Sequence, residues 1–561
     1  MVSFFESRMF FILLLIALQA QSKINFCGHN EVRKNHSRSR FLADDALRDS
    51  DWQPIRFAVD WSNMSSSSKT KYEKYVNASI EYYSNALKVH RIIDPVAWDS
   101  SMSTLTCNYH SDDFYGKTIS ADYFIIIAET YDVEGSYVAA ATGCAYDVTT
   151  SQPTFGYVIL NTAYTDDANS RDMISTITHE IAHALGFTDY DFPNYLKSDG
   201  TSYGETYYQD GIARGDDVRY IITPNVVKRA RIAFGCDSLI GLELETQGDG
   251  GSAYSHWNAR IMKSEFMSPQ ADNADFIYSD LTLALFEDSG WYKPDYNYGQ
   301  NINFGYKKGC DFHSKKCIIN EKPVFDEFCV DTTAESLCFI DYVSKGICWM
   351  STYDSPISDQ YNYFGYEYYG GDEFADFCPI VYSSHNCRIP DCPIEAYGEK
   401  YCDECRCVEG YYSLNGTTST LKATCHYVEC NDNSVTITVG DVKVVCTESG
   451  ALVNVPGYEG KLKCPIIEIV CGPPACMNNC YGGKCVDGVC SDNSLNEEDD
   501  YNTCDGIDGE QDDGQDDGQD DGQDDGQDDG QDDGQDDGQD DSNESGSIYY
   551  LLSAITIINI S

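Results

Sequence analysis

The sequence predicts an α+β fold, a mixed sheet with one deeply buried helix, followed by a cysteine-rich, disulfide-stapled region. Three observations carry this. Short apolar runs of strand length are spread over the first half of the chain. One segment near residue 175 switches to helical spacing. The 25 cysteines crowd into the second half.

At 561 residues the chain is too long for one ordinary domain. It opens on Arg8 and the apolar run Met9 to Leu18, with the small Ala20 behind it. That pattern predicts a signal peptide over 1–20, too short to span a bilayer as a mature helix. Residues 21–53 form a short segment rich in Arg, Lys and Asn. The composition then turns globular over 54–309. Ile55 to Trp61 alternates like a half-buried strand, and Tyr123 to Ala128 reads as a buried strand. Phe155 to Asn161 reads as another, expected at a sheet edge where an extended peptide can pair. Ser170 and Asp172 can cap a helix whose apolar residues are Met173, Ile174, Ile177, Ile181, Ala184 and Leu185. Gly186 is its expected stop.

From 310 to 504 cysteines dominate and no long periodic helix is evident. Cytosolic proteins rarely carry so many cysteines, so the expected compartment is an oxidising one. The same argument makes Cys402, Cys405 and Cys407 disulfide partners in preference to a second metal site. Cys476 to Cys490 looks like part of an EGF-like module, placed near 471–490. Residues 505–547 are an acidic low-complexity linker. Its Gln-Asp-Asp-Gly repeat, 511–541, holds 16 Asp with no Lys or Arg. Such a stretch cannot bury apolar surface and reads as an extended spacer. A loose Ca²⁺ buffer is the competing reading, but the closing Glu of an EF-hand loop is missing. The small residues Ser542 to Ser547 and the apolar tail 548–561 resemble a GPI-attachment signal. Sequons at Asn63, Asn77 and Asn415 fit export. The formal charge of −53 argues against a nucleic-acid partner.

The chemistry sits in His179-Glu180-Ile181-Ala182-His183. Residues four apart share one helix face, so two imidazoles can hold one Zn²⁺. Glu180, next to the first of them, can act as general acid/base toward a zinc-activated water. A catalytic zinc usually has three protein ligands. The simple metzincin spacing after Gly186 puts the third at Asp189; the other reading takes it from further on.

The stretch His179 to Phe187 resembles the leishmanolysin-type surface metalloproteases, in which an inserted segment precedes the third His. Gly251-Ser252-Ala253-Tyr254-Ser255-His256-Trp257 resembles the family's third-ligand segment. Glu265-Phe266-Met267-Ser268-Pro269 resembles its Met-turn, and Leu283 to Tyr292 its next helix and exit. Phe234-Gly235-Cys236 and Gly309-Cys310-Asp311-Phe312 also fit, so the resemblance covers about 54–392. It implies a metzincin-like catalytic domain with an insertion at 188–250 and one Zn²⁺ per chain. The implied ligands are His179, His183 and His256, with Glu180 as acid/base and Met267 as a packing residue in the Met-turn. Asp189 becomes a loop residue. Cys27-Gly28-His29-Asn30-Glu31 resembles the family's propeptide segment, in which a cysteine masks zinc; the other reading is a disulfide. The expected function is zinc-dependent endopeptidase action on proteins or peptides, at the cell surface through a GPI anchor or extracellular. A role in cell adhesion is a further expectation, and the alternative is a catalytically idle surface adhesin that keeps the fold.

Overall fold

Tyr123–Thr130 is apolar and buried over its first six residues, which a strand tolerates only when both sheet faces are covered. The computed structural model has that arrangement. It describes residues 51–471 with short breaks, at 99–108, 110, 134–136, 166–169, 248–252, 270–275 and a few positions near 331, 390, 415 and 432, plus strand pieces at 25–27, 39–40, 48–50, 484–486 and 489–491. The signal peptide, the acidic linker and the apolar tail lie outside the described residues, as does most of the EGF-like segment.

The main sheet contains β1 (Asn25–Cys27), β2 (Ser39–Arg40), β3 (Phe57–Asn63), β4 (Tyr123–Thr130), β5 (Tyr137–Tyr146) and β6 (Pro153–Asn161). The order is β1-β5-β6-β4-β3, with β2 also against β5. Only the β5–β6 pairing is antiparallel. Strand alternation divides the side chains between two cores. Tyr123, Ile125, Ile127, Val158 and Leu160 join the large core under the helices. Phe124, Ile126, Phe155, Tyr157 and Ile159 pack with Trp98 and Phe114 on the other face.

The edge position expected for Phe155 to Asn161 is overturned. β6 is central, hydrogen-bonded to β4 and β5, and buried throughout. Its unbroken apolar run marks a strand covered on all sides, not one awaiting a partner. Beside it lies β5, flanked on its far side by the short β1 and β2, and its run Ala139-Ala140-Ala141-Thr142-Gly143 holds one β-branched residue and no aromatic, a weak strand signal.

The sequence reading also missed helix α1 (Ser66–Ala86). Ser65 caps it, accepting from the Ser68 N–H at 3.2 Å. Its buried face is Tyr72, Tyr75, Val76, Ser79, Tyr83 and Ala86, a helical spacing hidden because tyrosine and serine stand where aliphatics are sought. Those hydroxyls are used. Tyr83 donates to the Thr178 carbonyl at 2.6 Å and Ser79 to the Ile174 carbonyl at 3.2 Å, locking α1 onto α2 (Ser170–Ala184).

After α2 the chain builds a three-stranded unit from Tyr208–Ala213, Asp216–Ile221 and Leu242–Leu244. Helix α3 (Pro224–Phe234) lies between its last two strands, with Pro224 in the first turn and Gly235 closing it at φ 67°. Helices α4 (Ala259–Met262) and α5 (Asp280–Asp288) follow. The large core runs from Ile55 to Val381, on both sides of Cys310. A six-stranded antiparallel sheet between residues 405 and 463 has its own core, centred on Val408, Val435, Ile437 and Leu462. Disulfides include Cys236–Cys310, Cys317–Cys378, Cys329–Cys348 and Cys387–Cys425. Cys402 pairs with Cys405 and Cys407 with Cys338, so this run is cross-linked as expected. Among the described residues no helix is long and apolar enough to cross a membrane.

Candidate metal centre

The active helix ends in a set of tyrosine caps. The last carbonyls of a helix lack intrahelical donors. Here Tyr123 donates to the Ala184 carbonyl at 2.7 Å, Tyr292 to Leu185 at 3.0 Å and Tyr195 to Gly186 at 2.9 Å. Gly186 has φ 114°, a conformation that lets the chain leave α2 sharply. The Phe187 carbonyl then turns back to His183 Nδ1, 2.7 Å away.

His179 Nδ1 lies 2.6 Å from the Phe266 carbonyl, across 87 residues of sequence. A carbonyl only accepts, so both rings carry their proton on Nδ1 and present the Nε2 lone pair inward. His256 completes the set. The three Nε2 atoms are 3.1–3.2 Å apart, and all three residues are wholly buried. Lone pairs facing each other at that distance repel unless a cation lies between them. Zn–N bonds of about 2.0–2.1 Å in tetrahedral geometry separate nitrogens by about 3.3 Å, so the donor set fits zinc. Among the described residues this is the one group of three or more His, Cys, Asp or Glu spaced to hold a metal ion. Glu180, also buried, follows His179 on the same helix.

The segment bearing His256 is held from both sides. The Glu245 N–H donates to the His256 carbonyl at 2.9 Å, and Leu244 bridges Trp257. The Trp257 N–H donates to the Met267 carbonyl at 3.1 Å, and its indole N–H to Thr282 Oγ1 at 2.8 Å. Met267 is buried in the large core. Asp189 stands outside the triad; it bonds through Ser255, whose hydroxyl donates to Asp189 Oδ1 at 3.2 Å. Cys27 lies in β1, its backbone in register with Ala139 of β5; its side chain lies outside the described residues.

Two buried carboxyls escaped the sequence reading. Glu245 accepts from the N–H groups of Thr246, Gln247 and Ala259, and burial pushes it up to about 8. Glu265 accepts from the Met267 N–H, and burial pushes it up to about 7. Neither stands out in the sequence, since Glu245 is flanked by Glu243, Thr246 and Gln247, and Glu265 by Lys263 and Ser264. A buried ion cluster joins the three-stranded unit to Asp376, with Arg214 bound to Glu243 at 2.7 Å and to Asp376 at 2.9 Å. Although burial opposes it, Arg214 and His313 hold the Glu243 carboxyl down at about 2.

A family model described as Leishmanolysin matches residues 72–478. Leishmanolysin of Leishmania donovani is 30% identical over 331 residues, which cover 56% of this chain and 54% of that relative. A leishmanolysin homolog of Crithidia fasciculata is 27% identical, covering 70% of this chain and 62% of the relative. A leishmanolysin-like peptidase of Caenorhabditis elegans is 27% identical, covering 70% and 74%. The chain thus spans roughly half to three quarters of these relatives' lengths. With the matched region enclosing the His179–His183–His256 centre and the sheet beneath it, the chain belongs to the leishmanolysin family.

Proposed function

We propose that this chain is a zinc-dependent endopeptidase that hydrolyses peptide bonds in proteins. The observation that carries the reading is the convergence of the His179, His183 and His256 Nε2 atoms, with two of the opposite ring nitrogens pinned to backbone carbonyls. Zinc held there would polarise the scissile carbonyl and lower the pKa of the attacking water. Glu180 would take that water's proton and return it to the leaving amine. Burial of Glu180 keeps bulk water from competing for the transfer. The names of relatives described as peptidases support the same reading.

The test is a set of substitutions in the full chain. Glu180→Gln should keep zinc and lose roughly 10²–10⁴-fold in kcat, the usual size of a general acid/base contribution. His256→Ala should lose zinc and activity together, and Asp189→Ala should keep both. A wild-type chain that binds zinc but cleaves no protein after removal of residues 21–53 would support the idle-adhesin reading.

Latency, export and anchoring belong to the same proposal. We read residues 21–53 as a propeptide whose Cys27 thiolate would fill the open position on a bound zinc. Pairing of β1 and β2 along β5 supports this, because the segment takes the side of β5 on which an extended peptide would add once it is removed. The N-terminal apolar run and the disulfides support passage through the secretory pathway.

A further inference from the structure

Glu265 is 1% exposed and has no place in the chemistry assigned above. Its hydrogen bonds can be oriented one by one. Trp257 Nε1–H, a donor only, points at Thr282 Oγ1 from 2.8 Å, so the Thr282 oxygen accepts and its proton is free for another group. That proton goes to Glu265 Oε1. Ser279 Oγ caps α5 by accepting from the Thr282 N–H at 3.2 Å, so its proton also goes to Oε1, at 2.7 Å. Oε2 accepts the Met267 N–H at 2.6 Å. Three donors therefore converge on this side chain, which suits a carboxylate and not an amide, whose NH₂ would face a donor.

What the carboxylate grips is the backbone from Glu265 to Met267. Inside that turn the Phe266 carbonyl holds His179 Nδ1 at 2.6 Å. The Met267 carbonyl accepts the N–H of Trp257, the residue after His256, at 3.1 Å. One carboxylate thus governs the acceptor behind the first imidazole and the backbone beside the third. We infer that Glu265 is a positioning residue for the metal centre, fixing the Phe266–Met267 turn so that His179 and His256 meet at one point. The inference rests on reading the three histidines as zinc ligands.

The experiment compares the zinc-loaded full chain with Glu265→Gln and Thr282→Val. It measures zinc release into excess EDTA, kcat and KM on a peptide that the wild type cleaves, and thermal unfolding. Loss of a partner that orients a metal-bound histidine typically costs roughly 10–100-fold in metal affinity or activity. Glu265→Gln should release zinc faster by that factor and lower kcat with KM little changed. Thr282→Val, which removes one of the three donors and the Trp257 acceptor, should shift both in the same direction by less. If Glu265→Gln melts lower yet holds zinc as long as wild type with unchanged kcat, the residue is merely structural and the inference is overturned. Should Glu265→Gln fail to fold, Thr282→Val decides by the same criterion. A wild-type chain that holds no zinc overturns the ligand reading and this inference together, whereas normal release from the variants overturns this inference alone.

Discussion

Replacing both Cys236 and Cys310 by Ala should lower stability without touching the chemistry. Their disulfide closes a loop of sequence separation 74, and that loop contains His256, Met267, α4 and α5. In the chain-entropy model, opening a loop of this length returns about 15 cal/mol/K to the unfolded chain, or about 4.5 kcal/mol at 25 °C. No other described disulfide lies within that loop, so the entropy is not already removed elsewhere. The model places the effect in the unfolded state, so the folded variant should bind zinc and turn over substrate like the parent. The assay is urea unfolding of the zinc-loaded full chain, with kcat measured well below the midpoint. A loss under about 1 kcal/mol refutes the entropic reasoning. A fall in kcat at unchanged stability refutes it differently, by showing that the bond shapes the native site.

Arg214→Met should cost about 3–5 kcal/mol, because it removes the guanidinium that pairs with both Glu243 and Asp376 in the interior; denaturant unfolding reads this directly. Gly186→Ala should cost roughly 1–3 kcal/mol of backbone strain, since φ is 114° and the new Cβ would come within 2.9 Å of the Trp291 ring. It should also hasten zinc release into EDTA, because the Phe187 carbonyl that orients His183 follows immediately. His426 is buried and its pKa is pushed down to about 4 by desolvation. An unfolded chain takes up that proton below about pH 6.5, whereas the folded one resists until about 4. The stability it contributes is therefore present above 6.5 and lost as pH falls toward 4, and His426→Gln should flatten a plot of stability against pH in that window.

Where the sequence was legible, the reason is that one interaction dominated locally. β4 and β6 are buried on both faces, so their apolar runs announce them. α2 was readable because Ile174, Ile177, Ile181 and Ala184 are simple aliphatics at helical spacing. α1 was not, because the Ser79 and Tyr83 hydroxyls on its packed face bond across to α2, a pattern neutral to any hydropathy reading. β5 was lost for the opposite reason. Its small residues suit a crowded place: a Cβ on Gly143 would sit 3.0 Å from the Ala184 carbonyl. The partners of the imidazoles were illegible in principle, because they are backbone carbonyls of Phe187 and Phe266, and every residue has one.

The distance between the second and third histidines needs its own physical account. Asp189 lies six residues after His183 and so sits where a short loop would deliver a ligand; His256 lies 73 after it. Loop-closure entropy grows only as the logarithm of length, so closing a loop of 73 residues in place of six costs about 2 kcal/mol more for a flexible chain. The intervening chain is not flexible. It folds into a three-stranded sheet and α3, pinned by Cys236 and by the Arg214 ion cluster. Its last strand, Leu242–Leu244, ends beside Glu245, whose N–H holds the His256 carbonyl. This segment thus carries His256 back to α2 on a built scaffold, and the entropic penalty that would favour Asp189 is met by the segment's own folding. Asp189 keeps a smaller task, bonding Ser255 and steadying the residue before His256.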